Sequence, residues 1–213
     1  MADDDKKGNS DKEIWVNEFT EKSAQKFREE LLKAADKVEE RCPIIVRIDS
    51  YGGYVDSLAK MLETMDSIRN PIVTSCEGKA MSCGAILLSN GDYRFVGKHS
   101  RVLIHEISHG SIGDVHDVHN DAEEGKRINK YFLGLLAKNC QIKGGYTGLR
   151  RLIKDRDGRD IHLDAPEAVD FGIADEIGIP TVTPVINYYV GAKGYHSFKF
   201  DKSKGKKKTR RRK

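Results

Sequence analysis

The run PIIVRID, from Pro43 to Asp49, constrains the fold more than any other stretch, because it does not alternate apolar with polar residues. A strand with one wet face alternates, whereas a continuous apolar strand is covered on both faces, as in a parallel sheet flanked by helices. Parallel neighbours cannot be joined by a hairpin, so each pair needs a crossover, most often a helix. The surrounding sequence supplies such crossovers. EIWVNE reads as a strand, and Thr20 is placed to cap a helix in which Ala24, Phe27, Leu31, Ala34 or Ala35, and Val38 recur at helical spacing. After PIIVRID come a turn, SYGG, and a helical stretch, VDSLAKMLETMDSIRN; PIVTSCE, DYRFVG and SRVLIHEI are further strands. Asp114 to Asn139 reads as one long helix with an apolar stripe of Val115, Val118, Ala122, Ile128, Phe132 and Leu136. Strand and helix in alternation predict an α/β domain with a largely parallel sheet of stacked βαβ units.

A chain of 213 residues with 38% apolar residues suits one such domain. We expect residues 1–12 to be a disordered acidic arm, 13–200 the folded domain, and 201–213 a disordered basic tail. Nine Lys and Arg lie between Lys202 and Lys213 with no acid among them, so the net +4 of the chain hides a body of net −5. Such a tail repels itself and stays solvated, and it is open to binding nucleic acid or an acidic protein through non-specific, salt-dependent contacts. No window has the length of apolar sequence that spans a membrane, and MADDDKKGNSDKE lacks the apolar core of a secretory signal, which makes a cytoplasmic location the expectation. Cys42, Cys76, Cys83 and Cys140 show no paired spacing and are expected to be free thiols.

In open α/β sheets, ligands meet the chain outside the carboxyl ends of the strands. Two turns stand there with unusual composition. Tyr51-Gly52-Gly53 follows PIIVRIDS, and paired glycines allow the backbone to approach a ligand closely. The second turn is GKAMSCGA, Gly78 to Ala85, in which Ser82 sits among small residues in the pattern of a nucleophile elbow, with Ala80 replacing the first glycine. By itself such a serine is more often a packing residue or a helix cap. A nucleophilic serine also needs a base. Of the seven histidines, His105 ends the apolar strand RVLI and so falls on the same side of the sheet as the octet. His116 and His119 lie three apart on the long helix without a clear third ligand, so a solvated face is preferred to a metal site. His109 reads as a loop residue.

Together, IDSYGG, GKAMSCGA, RVLIHE and DRDGRDIHLDAPEAVDFGIADEI resemble, in order, four blocks of the Clp protease proteolytic subunit, ClpP, over about residues 13 to 180. The resemblance implies a ClpP/crotonase-like fold with a protruding helical handle beginning near Asp114. It also implies a serine endopeptidase with Ser82 as nucleophile, His105 as general base and Asp160 as the third member. Asp155 and Asp157 remain rivals to Asp160, because extra residues around QIKGGYTG loosen that alignment. The backbone N–H groups of Gly53 and Cys83 take the oxyanion-hole position, and no metal or cofactor is implied. By the same resemblance the chain acts on protein or peptide substrates in a homo-oligomer of stacked rings, heptameric or tetradecameric, with an AAA+ unfoldase as possible partner. In DAPEA, Asp164 and Glu167 also form a capping box with Pro166 in the first helical turn, and Asp175 reads as structural.

This chain departs from the family pattern at Asp49, Tyr51 and Cys83, and it offers only a charged arm where axial loops would contact the ATPase. Those departures and the basic tail suggest, as an alternative, a phage head-maturation protease cutting scaffold or capsid proteins; a catalytically silent structural ring subunit is an alternative of another class, against which the retained Ser82, His105 and an aspartate speak. An acyl-CoA enzyme of crotonase type has no need for the Ser/His pair. A serine–lysine peptidase would have to recruit Lys79, three residues from Ser82 in the chain.

Overall fold

The computed structural model describes residues 13–108, 110–155, 160–182, 188–192 and 195–200, with side chains described as far as residue 182. It falls into two units, Met1–Pro180 and Thr181–Lys213. Within the second, β8 (Tyr188–Ala192) and β9 (Tyr195–Phe200) pair as an antiparallel hairpin.

The first unit is the α/β body. Its strands are β1 (Glu13–Val16), β2 (Ile44–Ser50), β3 (Ile72–Met81), β4 (Tyr93–Val96), β5 (Arg101–Ile104), β6 (Ile161–Leu163) and β7 (Glu176–Ile177). Helices α1 (Glu21–Lys37), α2 (Val55–Asp66), α3 (Cys83–Ser89), α4 (Val115–Asn139), α5 (Gly145–Lys154) and α6 (Ala165–Asp170) are interleaved with them. The sheet runs β1-β2-β3-β4-β7, with β5 also on β3 and β6 on β5. Every pairing in it is parallel except β5 with β6. This is the mixed, mostly parallel α/β architecture that PIIVRID requires, and Ile44, Ile45, Val46 and Ile48 of that run are all buried.

Local chemistry sets the element ends. Thr20 and Ser23 exchange side-chain and backbone hydrogen bonds at 3.1 and 2.8 Å in a capping box that starts α1, whose Ala24, Phe27, Leu31 and Ala34 face the core. Asp164 and Glu167 do the same for α6. The one charge inside PIIVRID, Arg47, is buried but forks onto Glu13 at 2.9 and 3.1 Å and also pairs with Glu77, so its donors are met.

The strand β3 runs farther than expected. Val73–Cys76 pairs with β4, while Lys79–Met81 has left β4 and pairs with β5. The switch comes at Gly78, φ +106°, whose N–H donates to Ser100 Oγ at 3.0 Å; a Cβ there would stand 2.7 Å from Asp49 Oδ1. The octet GKAMSCGA is therefore not one turn: its first four residues are strand, Ser82 alone turns, and Cys83 begins α3.

The stripe on α4 divides. Phe132 and Leu136 are buried, and the helix packs there on α3 and α5, whereas Val115 and Val118 near its start are 84% and 41% exposed. Helix α5 begins within QIKGGYTG, at Gly145, and buries Leu149 and Ile153.

Asp175 ties the end of the body to β4. It accepts from Arg94 Nε at 2.9 Å, Nη2 at 2.5 Å and the backbone N–H at 2.8 Å. The Arg94 hydrogen bonds hold its carboxyl below the ordinary carboxylate range. A carboxyl with a depressed folded value stabilises the fold above its unfolded pKa, about 3.9, and loses that contribution as pH falls through the lower folded value. Asp175→Asn is expected to cost about 1–3 kcal/mol at neutral pH. Urea midpoints against pH check this, because the gap between parent and variant should close below about pH 4.

Candidate active site

Three parallel strands end side by side. β2 pairs with β3 and β3 with β5, so Tyr51-Gly52-Gly53, Ser82 and His105 all follow carboxyl ends on one edge of the body. The Ser82 N–H donates to Leu103 O at 2.9 Å, which carries the β3–β5 ladder one residue beyond the strand.

Ser82 makes the whole strand-to-helix turn. Its φ of 55° and ψ of −119° lie outside the regions that side-chain-bearing residues normally occupy, a strain of about 1–3 kcal/mol. Its carbonyl accepts from Ala85 N at 3.0 Å and Ile86 N at 3.3 Å, so the first turn of α3 holds the residue from behind. From the other side Gly52, φ +102°, comes so close that a Cβ on it would be 2.8 Å from Ser82 Cβ and 2.9 Å from Met81 O. Only glycine fits there. The small neighbours Ala80 and Ala85 are fully buried and serve packing as well.

A cavity of about 260 Å³ opens on this edge, lined by Gly53, Tyr54, Ser82, Cys83 and His105. Its wall is apolar, formed by Val55, Ile86, Ile107, Ile128, Leu133 and Leu136. His105 is partly buried. Cys83 Sγ donates to Gly53 O at 3.2 Å and ties the two turns together, and burial pushes its thiol above the ordinary range. Burial also pushes the free thiols of Cys76 and Cys140 up to about 12.

Asp160 does not line the cavity. It is exposed and stands one residue before β6, whose antiparallel register runs Val102↔Leu163, Leu103↔His162 and Ile104↔Ile161. The next pair in that register is His105 with Asp160. Among the described residues no hydrogen bond joins Ser82 to His105 or His105 to Asp160. Asp155 instead ends α5, its N–H donating to Arg151 O at 2.8 Å. Asp157 and His109 lie outside the described residues, as do the acidic arm and the basic tail.

The sequence model of the Clp protease family matches residues 9–180 of the 213. The chain belongs to the Clp protease family. Its body is a ClpP-like peptidase domain, and the match ends at the boundary between the two units, at Pro180.

In this Clp protease domain, Lys79 is not available as a base. It donates to Asp49 Oδ1 at 2.7 Å and lies 4.5 Å over the Tyr51 ring, and the Asp49 hydrogen bond raises its pKa, so it stays a cation. His116 and His119 are exposed on α4, and no cluster able to hold a metal ion occurs among the described residues. Among them, too, no helix is long and apolar enough to cross a membrane. Two parts of the site have no local signature in the sequence. They are the cavity wall from α4, with Ile128, Leu133 and Leu136, and the polar group Glu106, Asn129 and Arg150, which is joined by hydrogen bonds next to His105 in the chain.

Proposed function

We propose that this chain is a serine endopeptidase of ClpP type. Ser82 is its nucleophile, His105 its general base, Asp160 the group that orients His105, and the N–H groups of Gly53 and Cys83 its oxyanion hole. The observation that carries this reading is Ser82 itself, held in a strained one-residue turn beside the end of β5, with His105 in the same cavity.

The steps follow from the residues. His105 takes the hydroxyl proton as Ser82 Oγ attacks the peptide carbonyl carbon, and the two amides receive the negative oxygen. Collapse breaks the C–N bond, and His105 returns its proton to the leaving amine. Water, deprotonated by the same imidazole, then releases the acyl group and restores Ser82. Asp160 favours the tautomer with the free nitrogen toward Ser82; hydrogen bonds of this kind are commonly long in an empty site and tighten when substrate binds. As the first residue of α3, Cys83 has an N–H with no acceptor one turn back, which leaves it available to an oxyanion.

The exposed apolar start of α4, with Ile112, Val115 and Val118, fits burial against another copy, in keeping with a ring assembly. The apolar cavity wall fits an apolar side chain just before the scissile bond. Fluorogenic peptides differing only at that residue test the reading. Leucine or phenylalanine should exceed aspartate by about tenfold or more in kcat/KM. Failure of folded, assembled protein to cut any of them would remove the peptidase assignment.

A further inference from the structure

We propose that Asn129, supported by Arg150, is a positioning residue that fixes the backbone carrying His105. This rests on the reading of Ser82 and His105 as nucleophile and base.

β5 ends at Ile104, so His105 is the first residue past the strand. On its N-terminal side the chain is held by the Ser82 N–H to Leu103 O bond at 2.9 Å. On its C-terminal side the anchor is a side chain. Asn129 Oδ1, from α4, accepts the Ile107 N–H at 3.0 Å, and Asn129 Nδ2 reaches Glu106 Oε1 at 3.4 Å. Arg150 Nε, from α5, donates to that same Glu106 oxygen at 3.0 Å, and its guanidinium lies 5.9 Å from the Tyr146 ring centroid. The two residues that follow the base are thus clipped to two helices, at one backbone amide and one carboxylate.

The parts of the clip are unequal. Arg150 and Glu106 have side chains 56% and 45% exposed, so their ion pair contributes little by itself. The Asn129 bond is partly buried and captures a backbone N–H that would otherwise lose its acceptor. Asn129 also adjoins Ile128, which lines the cavity, so the same turn of α4 sets both the pocket wall and the base. Helix α5, which begins within QIKGGYTG, delivers Arg150 to the clip. Misplacement of a catalytic group by about 1 Å can cost about a hundredfold in rate, which gives a distant amide side chain leverage over turnover.

The test uses the full-length assembled protein and a fluorophosphonate, and it reads the labelling rate per site separately from the final fraction of sites labelled. Asn129→Ala should lower the rate per site by about 10–100-fold while the final fraction stays complete. An unchanged rate per site would overturn the proposal, as would a loss confined to the labelled fraction, because that is the mark of a purely structural residue. Exchanging the donor and acceptor keeps the question open to test if the alanine variant does not assemble. Asn129→Asp alone keeps an acceptor for the Ile107 N–H but sets a carboxylate against Glu106, whereas adding Glu106→Gln supplies an amide N–H that donates to that carboxylate. The double variant should label at least about fivefold faster than the single one; equal rates would overturn the clip. A parent protein that is not labelled at all would instead sink the serine-nucleophile reading, and the clip with it.

Discussion

Ser82→Ala is expected to abolish peptide hydrolysis, lowering kcat by about six orders of magnitude, the scale seen when the serine of such a triad is removed. The fold should survive the change. The Ser82 backbone, not its hydroxyl, makes the bonds to Leu103, Ala85 and Ile86, and alanine keeps the Cβ beside Gly52. The variant should therefore melt within a few degrees of the parent and assemble to the same size. Kinetics, melting and light scattering on the same preparations check both halves of this expectation. An active Ser82→Ala protein would mean that the elbow is a packing turn with no part in bond cleavage.

Asp160→Asn is the next largest effect, about four orders of magnitude in kcat with little change in KM. The β5–β6 register distinguishes Asp160 from Asp155. Extending the β5–β6 ladder by one pair sets Asp160 opposite His105, while Asp155 sits at the end of α5. An asparagine at 160 keeps the shape but offers an amide that stabilises the wrong imidazole tautomer. Asp155→Asn should stay within about threefold of the parent, as expected for a surface carboxylate with no role in the triad. Parallel kcat and KM measurements on the two variants decide between them, and sensitivity at Asp155 with tolerance at Asp160 would reverse the assignment.

Much of the fold was legible because its signals are local. An apolar run without alternation means a doubly covered strand, and a Thr, Asp or Asn before a periodic stretch means a helix start; Thr20, Asp114 and Asp164 all cap helices. The missed features depend on distant partners. That β3 continues through Gly78–Met81 is decided by β5, which begins at Arg101 and takes over from β4. In GKAM the small residues mimic a turn. Helix α5 was hidden for a different reason. Gly144, Gly145 and Gly148 lower helical propensity, although Tyr146, Leu149 and Ile153 already had helical spacing.

The site divides along the same line. Ser82 and His105 could be placed from sequence because each ends an apolar strand, and in a parallel sheet those ends lie together. Asp160 is favoured in the sequence by its place four residues before Asp164, with Asp155 and Asp157 as rivals; that it follows one pair beyond the β5–β6 register, toward His105, is visible only once those strands are paired. Asn129 was invisible. A polar residue on a charged helix surface has no pattern of its own until the neighbouring chain is known to bring Ile107 within reach.

The central claim is that a strained serine at the end of β3 is the nucleophile, and site mapping tests it most directly. Folded, assembled protein is treated with a fluorophosphonate, digested and mapped by mass spectrometry. The account predicts a single phosphonyl adduct on Ser82, lost on denaturation before labelling. An adduct on another serine, or none on protein that is folded and assembled, would contradict it.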